Sequence, residues 1–198
     1  MAYVQDAVAA ARSGGPLPNE KANAAAFTTR AVETYDPRKA SELFASFVQH
    51  GTWQVPTLTA LRGAWESERR QLPATDAAAY DRAAAQTHSM FAEMRKARVG
   101  ILAGSDRPLT GGVPPIHEEL ASLVRAGMTP AEALHSATRA PAEFLGRVAS
   151  EGAIAIGKKA NLVLLHANPL DDIANTRRTA AVVLRGRLIT EADLQRFR

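Results

Sequence analysis

The sequence predicts an α/β protein that closes in a small β unit, and three observations carry that reading. The apolar run Val99-Gly100-Ile101-Leu102-Ala103-Gly104 stands between helical patterns and has the continuity of a buried parallel strand. Thr129-Pro130-Ala131-Glu132 is a capping box with proline at the first helical position, which starts a helix. From Gly152 onward the pattern changes to short apolar runs separated by turn residues. The expected division places an α/β domain with a helical N-terminal segment in residues 1–148, and a β unit with a terminal helix in residues 149–198.

Each element has its own local signal. The first 35 residues read as alanine-rich helix broken at Ser13-Gly14-Gly15-Pro16-Leu17-Pro18. Asp36 caps a helix opened by Pro37. Ala40, Leu43, Phe44, Phe47 and Val48 make its apolar stripe, and Gly51 ends it. Trp53 to Leu58 reads as a short strand, with Pro56 near its end because proline donates nothing to a ladder. A charged helix follows over Leu61–Leu72, punctuated by Pro73-Ala74-Thr75. A longer helix capped by Thr75 or Asp76 then runs to about Arg98. After the strand at Val99, a loop with Gly111-Gly112 and Pro114-Pro115 opens the helix Ile116–Ala126. Ala153–Gly157, Leu162–Leu165 and Ala181–Leu184 are the expected strands of the β unit, closed by a helix over Glu191–Phe197.

Composition narrows the function. A chain of 198 residues, 46% apolar and 22% charged, buries a real core and is not a disordered segment. With no cysteine there is no disulfide, no thiolate-bound zinc and no thiol nucleophile. A metal would need carboxylates and the five histidines: His50, His88, His117, His135 and His166. The net charge of +4 is modest, and its basic residues are scattered pairs without interleaved aromatics, which speaks against nucleic-acid binding. No apolar run nears the ~18–20 residues of a membrane span, and no signal-peptide core stands at the start, so a cytoplasmic protein without membrane attachment is expected. There is no H-E-x-x-H, G-x-S-x-G or P-loop.

Asp106 is the sharpest chemical feature. It lies just past the strand at Val99–Gly104 and before a glycine-rich loop, where α/β barrels place catalytic and metal-binding groups. An aspartate there also has ordinary uses, capping a turn or accepting from loop amides. His117 opens the next helix, whose N-terminus faces the same mouth. The pair says more than either residue alone. Ser105 and Arg107 border that mouth as candidate substrate contacts. Gly104-Ser105-Asp106 is not a nucleophile elbow, so a serine triad is not expected.

The ordered series Ile101-Leu102-Ala103-Gly104-Ser105-Asp106, His117-Glu118-Glu119-Leu120 and Leu123 through Leu134 closely resembles the C-terminal part of the amidohydrolase superfamily. The likeness is to its imidazolonepropionase-like and prolidase-like branch. It continues through Ser136–Ala142, Phe144-Leu145-Gly146, Gly152-Ala153-Ile154, Gly157–Leu165 and Asn168-Pro169-Leu170. Val55-Pro56-Thr57-Leu58 is similar to the barrel segment before the aspartate strand. The resemblance covers residues 36–190.

It implies a partial, half TIM-like barrel with water-activating chemistry at its mouth, acting on small-molecule esters or amides. Asp106 is then a metal ligand or general base, and His117 a substrate contact or second ligand to a divalent metal, zinc in the first instance. Departures are equally plain. A full barrel takes about 250 residues, so the chain reads as a truncated product or a naturally short relative. The family's H-x-H pair, bridging lysine and further ligand histidines have no counterparts, and Asn161 and His166 replace aspartates. A half barrel leaves open edges, so a homo-oligomer is expected. Two functions follow: a minimal, promiscuous hydrolase, or an inactive oligomeric scaffold or binding module.

Overall fold

Two short parallel strands set the frame. In a computed structural model, which describes residues 30, 32–70, 74–107 and 115–196, β1 (Trp53–Gln54) pairs in parallel with β2 (Gly100–Ile101). Gly100 is required because the Trp53 ring lies against it: a Cβ there would sit 2.5 Å from the indole. Contact continues past the ladder. Leu102 N–H donates to the Gln54 carbonyl at 2.9 Å, and a Cβ on Gly104 would meet Val55 Cγ1 at 2.5 Å.

The strand expected over Val99–Gly104 is therefore extended but mostly outside the ladder. Ala103 N–H turns to the Ser136 carbonyl at 2.9 Å, and only Val99 and Ile101 of the run are buried.

Helices follow along the described chain. They are α1 (Pro37–Gln49), α2 (Leu58–Arg69), α3 (Ala74–Lys96), α4 (Ile116–Arg125), α5 (Pro130–Ala137) and α6 (Arg139–Phe144). Asp36 caps α1 as expected, its Oδ1 accepting from Arg38 N–H at 2.9 Å and Lys39 N–H at 3.3 Å. Phe44 is buried, but Leu43 and Val48 are exposed, so the apolar stripe is narrower than its periodicity predicts. At Gly51 (φ 62°) the chain reverses, Gly51 N–H bonding the Val48 carbonyl and Thr52 N–H the Phe47 carbonyl. The same closure ends α3 with Arg98 in the left-handed position, and α4 with Gly127. The Thr129 box is present in full at the start of α5.

The chain divides into two compact units, Met1–Glu42 with Arg62–Met90, and Leu43–Leu61 with Phe91–Arg198. The described part of the first is helical and buries Tyr80 and Ala83. The second holds both sheets and a core that includes Phe91, Ile101, Leu120 and Leu123.

The C-terminal β unit is a three-stranded antiparallel sheet of β3 (Leu162–Leu165), β4 (Thr179–Leu184) and β5 (Arg187–Thr190), followed by α7 (Glu191–Gln195). Val163 pairs with Val182, and Val182 with Ile189.

Several expectations need correction. Leu58 is not strand but the first residue of α2. α3 runs from Ala74, so Thr75 and Asp76 lie within it rather than before it. Ala153–Gly157 is not a strand. Gly152 and Gly157 turn the chain at both ends with positive φ, and Ile154 and Ile156 stand 87% and 106% exposed. β5 and the 3₁₀ turn Ile173–Arg177 add to the expected elements, β5 being reached through Arg185-Gly186, a tight turn with both φ positive (52° and 82°) without the usual asparagine. The N-terminal alanine-rich helix, Pro73, the Gly111-Gly112 loop and Phe197 lie outside the described residues.

One side chain ties the frame to the helices. Glu119 of α4 is 0% exposed, and its two carboxyl oxygens accept from Leu58 N–H at 2.9 Å and Thr59 N–H at 2.8 Å. These are unpaired amides at the start of α2, where a negative group also meets the positive end of the helix dipole. Glu119→Ala strands both donors in the interior and should cost about 2–4 kcal/mol. Urea unfolding measures it, and a loss below about 1 kcal/mol would contradict this account.

Candidate functional site

The site begins where the parallel strands end. Asp106 follows β2 and is exposed, with φ at 46°. Among the described residues its carboxylate makes no hydrogen bond or ion pair with another side chain, His117 included. Ser105 is half-buried and Arg107 exposed.

Successive residues in the first turn of α4 point three ways, as the ~100° step of a helix requires. His117 meets Thr176 in the 3₁₀ turn, Nδ1 to Oγ1 at 3.2 Å. Glu118 lies between two arginines, with Arg107 Nη1 and Arg177 Nη2 each 3.9 Å from one of its oxygens. Glu119 turns inward to the start of α2.

The tautomer of His117 follows from proton counting. Thr176 has one hydroxyl proton, and its Oγ1 donates it to the Ile173 carbonyl at 2.8 Å. The contact with His117 must then have Nδ1–H as donor and Oγ1 as acceptor. That leaves Nε2 as the atom with a free lone pair. Burial, and then the neighbouring Arg177 guanidinium, lower the imidazole pKa below its ordinary 6.5. A neutral imidazole with Nδ1–H fixed by a hydrogen bond is the form that accepts a proton or binds a metal through Nε2.

The structure thus gathers His117, Arg107, Glu118, Arg177 and Thr176 around the first turn of α4, and sets Asp106 and Ser105 beyond β2. Glu118, Thr176 and Arg177 were not legible as site residues, since Thr176 and Arg177 lie about sixty residues beyond His117 in the chain. The remaining histidines stand apart. His50 Nδ1 is 2.8 Å from the Ser46 carbonyl, His88 Nδ1 is 2.7 Å from that of Ala84, and His166 Nε2 is 3.2 Å from Glu191. His135 is exposed on α5. Among the described residues no three His, Asp or Glu side chains come together as a metal site. A catalytic zinc takes three protein ligands and one open position, so the described residues do not fit that metal.

An aspartate beyond the carboxyl ends of parallel strands, with a neutral histidine on the following helix, defines an α/β protein with its candidate site at the strand mouth. The chain belongs to the amidohydrolase family, whose sequence pattern matches residues 21–189. Comparison with curated proteins gives no match. Among solved structures, a Xaa-Pro dipeptidase with methionine bound in its active site is 25% identical, with a TM-score of 0.63 over 75% of this chain. The A. niger ochratoxinase is 26% identical, with a TM-score of 0.65 over 75% of this chain. A prolidase complexed with N-methylphosphonate-L-proline is 25% identical, with a TM-score of 0.56 over 76%. The chain spans 37%, 34% and 38% of these three proteins.

The lowered pKa of His117 has a signed consequence. Between its folded value and 6.5 only the unfolded chain takes up the proton, so stability falls as pH drops through about 6.5 and levels off below the folded pKa. His117→Gln should lose less stability than the wild type between pH 8 and pH 5.5. Paired urea titrations at the two pH values give the comparison, and equal losses would refute the assignment.

Proposed function

We propose that the chain is a hydrolase that cleaves an ester or amide bond at the mouth beyond β1 and β2. One observation carries the reading: in a member of the amidohydrolase family, Asp106 follows β2 at the same sheet edge where β1 ends. Dipeptidase, prolidase and ochratoxinase neighbours support hydrolysis as the reaction class and small molecules as substrates.

His117 Nε2 is suited to take a proton from attacking water, and Asp106 supplies a second base or a charge that orients the water. Ser105 and Arg107 border the substrate. The family generally uses divalent metals, and Asp106 and His117 are the residues we assign to such contact. Because no three candidate ligands gather among the described residues, no step is routed through a metal.

A second reading has its own support. Val163 and Leu188 of the β unit are 60% and 58% exposed, and they lie on opposite faces of the sheet by register. Uncovered apolar faces favour self-association, so a homo-oligomeric binding module is the alternative. No described helix is long and apolar enough to cross a membrane.

Turnover of p-nitrophenyl acetate, measured across a dilution series with and without EDTA, separates the two readings. Under the hydrolase reading, Asp106→Asn and His117→Ala each lower kcat/KM by about 10²-fold or more. The wild-type rate should rise with pH through a value below 6.5, as Nε2 loses its proton. Activity indifferent to both substitutions would place the chemistry elsewhere.

A further inference from the structure

Two residues beyond the parallel strands share an unusual backbone. Thr57 and Asp106 both have φ of 46°. They occupy matching stations: Val55 lies against Gly104, where a Cβ would meet Val55 Cγ1 at 2.5 Å, and each residue lies two positions beyond that contact. A left-handed φ is uncommon for aspartate and a genuine outlier for β-branched threonine. Such strain persists where the surroundings impose it, and it clusters at sites that bind or react.

Thr57 gains nothing from its hydroxyl within the fold. It immediately precedes α2, where a threonine ordinarily caps the helix by accepting an amide N–H of the first turn. Here those amides are all taken. Leu58 and Thr59 donate to Glu119, while Ala60 and Leu61 donate to the Thr57 carbonyl at 3.0 and 3.1 Å. The Thr57 hydroxyl makes no hydrogen bond among the described residues. Thr57 is half-buried, and no described buried polar side-chain atom lacks a partner, so this hydroxyl is open to solvent.

We infer that Thr57 is a substrate-binding residue of the Asp106 mouth, its hydroxyl donating to the carbonyl oxygen of an acylated small molecule. The substrate class rests on the hydrolytic reading above. Glu119 is the positioning residue: by capping α2 from another helix it releases the hydroxyl from the fold and holds the strained turn.

The test uses the full chain and two readouts. Asparagine tolerates the left-handed region, so Thr57→Asn should raise Tm by about 2–6 °C. Thr57→Val keeps the β-branch and removes only a solvent-facing hydroxyl, so its Tm should stay within about 1 °C of wild type. N-acetyl-L-alanine N-methylamide, titrated by amide chemical-shift changes, should bind the wild type and Thr57→Ser alike. Thr57→Val should bind it about 2- to 10-fold more weakly.

A fall in Tm for Thr57→Asn, equal binding by Thr57→Val, or no binding by the wild type each overturns the inference. Hydrolysis of p-nitrophenyl acetate is followed in parallel. Its absence alongside Thr57-dependent probe binding refutes the hydrolase reading while leaving Thr57 as a ligand contact.

Discussion

The carboxyl group of Glu119, bonded to two amides sixty residues away, is the constraint on which the rest of the second unit depends. It closes the N-terminus of α2 without help from the local sequence, and so fixes where β1 ends and α2 begins. The same interior contact is widened by Thr59 Oγ1 and Ser122 Oγ at 3.2 Å, and by Arg125 donating to Ser122 at 2.8 Å. A buried polar group of this kind is stabilising only when every partner is present. Here both Glu119 oxygens and both α2 amides are satisfied. Because Glu119 sits two residues after His117 on a rigid turn, fixing one orients the other.

That geometry explains why α4 carries so much. Leu120 and Leu123 anchor it in the core, Glu119 fastens it to the start of α2, and the half-buried start of its first turn is left to present His117 and Glu118. A site held by a helix whose opposite face is packed is more exactingly placed than one on a loop. Asp106 has the opposite support. It depends on the strand behind it and on a strained backbone rather than on side-chain bonds.

Much of the fold was legible because its signals are local. The Asp36 cap and the Thr129 capping box act within a few residues and open the expected helices, while the apolar run from Val99 holds a ladder only at Gly100–Ile101. Leu58 was misread as strand because its cap, Glu119, is distant in sequence and no propensity encodes it. Ala153–Gly157 has strand composition but no partner, and flanking glycines with positive φ turn it away. For the candidate site, position in the sequence suggests Asp106 and His117 but says nothing of their surroundings. The threonine that fixes the histidine tautomer, and the arginine that adds to burial in lowering its pKa, come from a 3₁₀ turn that only folding brings to α4.

The electrostatics of that first turn favour one direction of charge flow. Arg107 and Arg177 on either side of Glu118 leave one net positive charge beside His117. Burial first, and then Arg177, weaken the imidazole as a base, yet they keep Nε2 unprotonated near neutral pH, where a base must be free to act. The same guanidiniums favour negative charge developing on a substrate oxygen nearby, an effect that strengthens as water is excluded. A base made weaker by its neighbours is therefore compatible with faster acyl chemistry, provided those neighbours also stabilise the oxyanion. The exposure of both arginines limits the benefit, since solvent and salt screen charges that are not buried. Under the proposed hydrolase reading these terms suit the mouth to slow and permissive hydrolysis, with the field supplied by α4 and the 3₁₀ turn and the strain supplied by the strand ends.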